Sequence, residues 1–230
     1  MAKKEAKKDW RKAVQQAMEK SSKDEALRRF GTAEPGFNYR WEHVQAVVKL
    51  AVRLARLTGA DKDVVEAAAW LHDVAKEKGA KHPEEGAKVA RKLLPKTDFP
   101  AEKIEAVAQA VTQHMGLWRE QPLTNLEAMV LWDADKLAKI GLTAAFHWTG
   151  MYLMDGKMRT TKDLIHRGRM ADWQARTVAS MHTEPAKRAA AKRLKRYQKL
   201  WNSLERELNG DDLEAGERRG TLRTPKMING

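Results

Sequence analysis

From Tyr39 onward, apolar residues recur at the three- and four-residue spacing of an α-helix, and no stretch of any length alternates as a strand does. That periodicity predicts an all-α protein. The first helix runs from about Tyr39 to Leu57 and stops at Thr58-Gly59, and the second covers about Asp61 to Lys76. Pro83 and Pro100 each sit where the first turn of a helix tolerates a missing N–H. They give a third helix that ends before Pro95 and a fourth that ends near Gly116. A fifth spans about Asn125 to Ile140, and a long final helix about Glu184 to Leu208. Residues 141–172 carry four scattered glycines and read as a helix followed by an irregular basic loop.

A chain of 230 residues with 42% hydrophobic content supports one core with tails. The division expected is a basic N-terminal segment over residues 1–33, a body over 34–208 and a tail over 209–230. Residues 1–30 hold ten Lys/Arg and five acids on a weak helical pattern (Trp10, Val14, Ala17, Leu27), which predicts a solvated basic helix or arm. The break "GTAEPGFN" follows at 31–38. Forty-four Lys+Arg against 31 Asp+Glu leave a net charge of +13, which favours phosphate-bearing partners such as nucleotides, nucleic acids or anionic membrane surfaces. With no cysteine, disulfides and thiolate metal sites are excluded, so any transition metal must be held by imidazole and carboxylate. No apolar run is long enough for a signal peptide or a membrane span, which makes the cytoplasm the default compartment and a membrane partner unexpected.

Helical spacing turns several polar residues inward. His43 is followed by Val47, Leu50, Ala51 and Leu54 at +4, +7, +8 and +11, so its imidazole lies on the stripe that must be buried. His72 extends the stripe of Val65, Ala68 and Ala69, and His114 extends that of Ile104, Val107, Ala108 and Val111. Asp133 and Asp135 lie in a helix that is apolar on most sides. Buried carboxylates near neutral imidazoles require a positive charge among them, and a divalent metal is the economical source. Each histidine alone also fits a hydrogen-bonded core residue, and His82, directly before Pro83, fits a loop residue capping the third helix.

The ordered set "RWEHVQAVVKLA", "LHDVAK", "HPEEGA", "VTQH" and "DADKL" over about residues 39–140 resembles the HD-domain metal-dependent phosphohydrolase superfamily, an all-helical fold. The resemblance implies an HD-domain helical bundle with basic N- and C-terminal extensions. His43, His72, Asp73 and Asp135 would hold a first metal, with Asp135 preferred to Asp133 because a basic residue and a leucine follow it. His82 and His114 would hold a second metal, with Asp73 bridging and a metal-activated water as nucleophile. Such ligands suit one or two ions of Fe, Mn, Co, Ni or Zn. Within the superfamily the motifs look most like enzymes that split symmetrical dinucleoside tetraphosphates, whereas "SMHTEPAKRAAAKR" resembles the C-terminal helix of another group of small HD hydrolases. Guanosine tetraphosphate hydrolases carry acids three and four residues after the HD aspartate, and Lys76 stands at the first of these positions.

The expected activity is cleavage of a phosphoester or phosphoanhydride bond of a nucleotide or dinucleotide, with Asp73 and Lys76 catalytic. Lys76, three residues past Asp73, and Arg40, one turn before His43, are candidates for binding substrate phosphate; a cation ending a helix is the plainer reading of Lys76. His147, His166 and His182 match no motif and are expected to be structural or exposed. Seven Lys/Arg without an acid between Lys187 and Lys199 make either a solvated helix face or a surface that steers nucleotides or RNA. Two alternatives stand beside the hydrolase: a nucleic-acid or nucleotide-binding module with a vestigial metal site, and an HD-fold di-iron oxygenase.

Overall fold

Short polar side chains fix where the helices begin. In the computed structural model, which describes residues 7–157, 159–170 and 172–213, Asp9 accepts from the Lys12 N–H and opens α1 (Trp10–Phe30). Asn38 accepts from the Trp41 N–H and opens α2 (Tyr39–Thr58), and Asp61 accepts from the Asp63 and Val64 N–H groups to open α3 (Lys62–Leu71). The chain continues through α4 (His82–Leu93), α5 (Ile104–Thr112), α6 (Leu126–Leu137), α7 (Leu142–Met154), α8 (Thr161–Arg169), α9 (Trp173–Ala179) and α10 (Glu184–Asn209). Asn125 caps α6 through the Ala128 N–H, and a Thr160/Asp163 capping box opens α8. There is no β-strand among the described residues, so the all-α expectation holds.

The core is built from the stripes that periodicity identified. Val44, Val47, Ala51 and Leu54 of α2 face Val64, Val65, Ala68 and Leu71 of α3, with Val107, Ala108 and Val111 of α5 and Val130, Leu131 and Trp132 of α6 closing the cluster. Alanines at 67, 68 and 69 are fully buried and let α3 approach its neighbours closely. Gly86 does the same for α4: a Cβ there would come within 3.2 Å of the Leu71 carbonyl oxygen and 3.1 Å of Val111. None of the described helices is long and apolar enough to cross a membrane.

Two expectations need correction. The N-terminal helix is not a solvated arm outside the body: Trp10, Val14 and Met18 are buried in the main core, and Trp10 packs edge-on against Phe99 at 5.0 Å. The Trp10 N–H donates to Asp98 and the Asp98 N–H donates to the Lys8 carbonyl, stitching the start of α1 to the loop before α5. The stripe that begins with Trp10 and Val14, both on the pattern expected from sequence, continues at four-residue spacing through Met18, Ser22 and Ala26 and buries one face while the basic residues cover the other. Leu27, placed on that stripe from sequence, is instead exposed. Likewise, the loop expected before residue 172 contains α8, and α9 follows before α10; with Tyr197 and Trp201 of α10, Ala145 and Ile165 form a second, smaller core. Gly168 reads as punctuation in the sequence but serves contact, because the Trp201 indole lies against its Cα where a Cβ would stand 2.2 Å away. Of the expected tail, residues 214–230 lie outside the described residues.

Asp133 joins the two cores. One carboxylate oxygen accepts from the His182 N–H at 2.9 Å, and the other from the Thr183 N–H and hydroxyl, both at 2.7 Å, so a side chain of α6 caps the start of α10. Replacing Asp133 by Ala strips four donors, the His182 N–H and Nδ1–H and the Thr183 N–H and hydroxyl, of their acceptor and should cost about 3 kcal/mol of stability. Urea unfolding is expected to record that loss while the metal content of the purified protein stays unchanged.

Candidate metal centre

The α3 helix ends at Leu71, leaving its last carbonyls without intrahelical partners, and His72 uses one of them: its Nδ1 donates to the Ala69 oxygen at 2.7 Å. The same device recurs twice. His82, at the start of α4, donates Nδ1–H to the Gly79 carbonyl at 2.6 Å, and His114, just past the end of α5, donates to the Val111 carbonyl at 2.6 Å. A carbonyl only accepts, so in all three rings the proton sits on Nδ1 and the lone pair on Nε2.

Those lone pairs converge. His82 Nε2 and His114 Nε2 are 3.0 Å apart, and both face Asp73 Oδ1, at 3.4 and 3.6 Å. On the other side of the aspartate, His72 Nε2 lies 3.6 Å from Asp73 Oδ2 and 4.0 Å from Asp135 Oδ1, while His43 Nε2 is 3.0 Å from the same Asp135 oxygen. Two groups of donors result, His43–His72–Asp135 and Asp73–His82–His114, each with its ligand atoms within 4.8 Å of one another and every member buried. His43 Nδ1 and Nε2 and His72 Nε2 are buried and make no hydrogen bond. Buried, unpartnered imidazole nitrogens beside a carboxylate form a donor set that fits a divalent transition metal, and the carbonyls holding three of the Nδ1–H groups supply the outer support that metal-binding histidines need.

Cations surround this centre. The Arg40 guanidinium is clamped between Asp73 and Glu25 of α1, the latter at 2.8 Å, and little of it is exposed. Lys136 is buried, donating to Asp135 and to the His114 carbonyl at 2.9 Å; burial pushes its ammonium down to about 8 even though Asp135 opposes the shift. Lys139 donates to the other Asp135 oxygen. Lys76 opens a short 3-10 segment (Lys76–Lys81) beyond the turn that follows α3, with its Nζ 3.1 Å from both Asp73 Oδ1 and His82 Nε2 and a third of its side chain exposed. Burial would raise both carboxyls, yet Arg40 holds Asp73, and Lys136 and Lys139 hold Asp135, well below the usual carboxylate range. These ion pairs modify the charge argument made from sequence, since the protein's own cations already balance the carboxylates. The unprotonated, converging nitrogens are what point to a metal.

All six candidate ligands therefore meet, and Arg40 and Lys76 reach the same place. Asp133 does not, being spent on α10. Spacing missed Lys136 and Lys139, whose place beside Asp135 follows from positions one residue and one helical turn on, and Glu25, which gave no sequence signal at all. His182 is structural, bonding Asp133 through Nδ1 at 3.2 Å and accepting the Leu123 N–H at Nε2. His147 packs edge-on against Tyr39, and His166 is exposed.

The all-α bundle that carries this site is similar in fold to HD-domain proteins. The family model of the HD domain matches residues 40–140, the span from Arg40 through the end of α6. Among solved structures, the chain is similar to a predicted HD superfamily hydrolase from an uncultured Thermotogales bacterium at 22% identity, with a TM-score of 0.58 over 86% of this chain and 91% of that one. It is similar to Bacillus subtilis YpgQ in complex with ADP at 21% identity and a TM-score of 0.58, over 84% of this chain and 98% of that one. An HD-superfamily hydrolase from Bacillus thuringiensis aligns at 19% identity and a TM-score of 0.59, over 85% and 98% of the two chains. No curated protein matches the chain by sequence.

Burial lowers the imidazole of His43 to about 4, with Lys139 adding to the shift, and that of His72 to about 3 against the pull of Asp73 and Asp135. Both rings are thus neutral in the folded protein at pH 7. An unfolded chain binds a proton on each below pH 6.5 while the folded chain excludes it, so the stability of the metal-free protein must fall as pH drops through this window. Below about pH 4, protonation of Asp73 and Asp135 in the unfolded state acts in the same direction. Urea unfolding after chelation is expected to show a loss of roughly 2–4 kcal/mol between pH 7 and pH 5. A flat profile over that range would mean that these imidazoles are not held neutral.

Proposed function

We propose that the protein is a metal-dependent phosphohydrolase acting on a phosphoester or phosphoanhydride bond of a nucleotide. The observation that carries this reading is the convergence of Nε2 lone pairs from helices far apart in sequence onto the two oxygens of Asp73. His43, His72 and Asp135 would hold one ion, His82 and His114 a second, and Asp73, facing His72 with one oxygen and His82 and His114 with the other, would bridge them. When bound, such ions bring the pKa of a water toward neutrality and neutralise phosphoryl oxygens.

The chain's own groups supply the rest. Asp73, locked by Arg40, presents its two oxygens in a fixed orientation to the two donor groups. Arg40 is therefore read as an anchor for the aspartate rather than as the phosphate ligand expected from sequence. Lys76 keeps part of its side chain in solvent and is placed to swing from Asp73 onto a substrate oxygen, and Lys139 is a second cation within reach. Surplus positive charge around the centre, on a chain of net charge +13, suits a polyanionic substrate. The ADP bound to YpgQ, on the same scaffold, favours a nucleotide.

Metal analysis of the protein as isolated, joined to a turnover screen of nucleoside mono-, di- and triphosphates and dinucleoside polyphosphates, tests the proposal. His72→Ala and Asp73→Ala should each lower turnover by about a thousandfold or more and strip bound metal, with helical content kept. Retention of metal without turnover on any member of the panel would favour the binding-module alternative. Oxygen uptake by the iron-loaded protein would favour the oxygenase.

A further inference from the structure

Beside the metal centre lies a pocket of about 330 Å³ that the phosphate chemistry does not need. Its floor is shared with the centre. The Tyr39 ring stacks on the His43 imidazole, centroids 5.7 Å apart and 10° from parallel, and Lys139 reaches from the pocket to Asp135. Its walls come from α7, α8 and α9, beyond the span matched by the HD family model. Trp148 and Trp173 form a wedge, centroids 5.1 Å apart and tilted by 44°, and Arg167 lies over the Tyr152 ring at 5.6 Å while donating to its hydroxyl at 3.3 Å.

The chemistry of this lining is one-sided. Four aromatic rings and two cations are joined only by a leucine and two methionines, and among the described residues that line it there is no carboxylate, amide or aliphatic hydroxyl side chain. Rings and cations fit a ligand that is planar at one end and anionic at the other. Reading an adenine or cytosine edge needs an amide or carboxylate side chain, and the two cations that could read guanine are already engaged, Lys139 by Asp135 and Arg167 by the Tyr152 hydroxyl, whereas stacking accepts every base because each has a π-face. The pocket volume is at the low end of the range of about 300–1,000 Å³ typical of small-molecule sites.

We propose that this pocket takes the base of the nucleotide whose phosphates reach the metal centre, and holds it by stacking without reading its edge, so that purine and pyrimidine nucleotides bind alike. The inference rests on the phosphohydrolase reading for the placement of the phosphates. Trp148, Trp173 and Tyr152 are then the residues that separate nucleotides from other phosphate esters, and Arg167 is the cation at the mouth.

Equilibrium dialysis of the full-length, metal-free chain against AMP, GMP, CMP, UMP and ribose 5-phosphate reads the pocket without turnover. The four nucleotides should bind within about tenfold of one another and ribose 5-phosphate at least about tenfold more weakly. Trp148→Leu and Trp173→Leu should each weaken every nucleotide by about tenfold, leave ribose 5-phosphate unchanged and keep the wild-type melting profile. Ribose 5-phosphate binding as tightly as AMP, one base preferred by more than about a hundredfold, wild-type affinity in folded Trp variants, or no nucleotide binding at all would each overturn the proposal. Should either variant not fold, the panel on the wild-type chain decides alone. Nucleotide binding with this pattern but no turnover after metal loading would remove the phosphohydrolase reading and leave the pocket standing. Turnover together with an overturning dialysis result would do the reverse.

Discussion

A backbone carbonyl three residues back holds each of His72, His82 and His114. This contact decides the tautomer, and the tautomer decides everything that follows at the centre. Were the proton on Nε2, the nitrogens of His82 and His114 could satisfy Asp73 by ordinary hydrogen bonds. With Nδ1 committed to a carbonyl, Nε2 has no proton to offer, and two lone pairs stand 3.0 Å apart in a buried space. The local geometry is cheap to make because it uses carbonyls at helix ends and in the turn before α4. Helix termination and ligand orientation are thus one feature of the sequence: the chain leaves the helix where the imidazole needs a carbonyl.

Around this core sits a layer of ion pairs that fixes the carboxylates. Asp135 takes two lysines, and Asp73 takes Arg40 and Lys76. Arg40 is itself held by Glu25, which ties the centre to α1, a helix before the span the HD family model covers. Its basic exterior gives no hint of this role, because the contact is made by one of the few acids on the helix. Removing one partner of such a buried pair costs more than the pair contributes, since the remaining charge is left desolvated. The layer therefore makes the position of Asp73 sensitive to a residue 48 positions away in the chain.

What could be read from the sequence follows from where the physics is local. Stripes in α2, α3 and α5 carried His43, His72 and His114 to the interior because helical period alone sets the face a residue occupies. The fold class and the main helices were legible for the same reason. The limits have equally specific causes. Burial on α1 was masked because its stripe is narrow and its remaining surface densely charged, so the average over the helix is polar. The α8 and α9 helices were missed because glycine was read as a breaker, whereas Gly168 is there to admit the Trp201 ring. No sequence rule predicts a contact between residues 168 and 201.

The pair Asp133 and Asp135 marks the boundary between these cases. Both are fully buried on a helix whose every residue from Val130 to Leu137 is inside, so burial cannot tell them apart. Two residues along an α-helix turn the side chain through about 200°, which sends the two carboxylates to nearly opposite sides. One side meets His43, the other the residues that lead into α10, His182 and Thr183, and only the tertiary arrangement says which. The consequence is mechanical: a single rigid helix fixes the donor set and, through the cap on α10, the small core against which α7 and α8 pack. The walls of the aromatic pocket are thereby referenced to the same helix that carries Asp135, so that a base and a phosphate bound across the two regions would meet a distance set by α6.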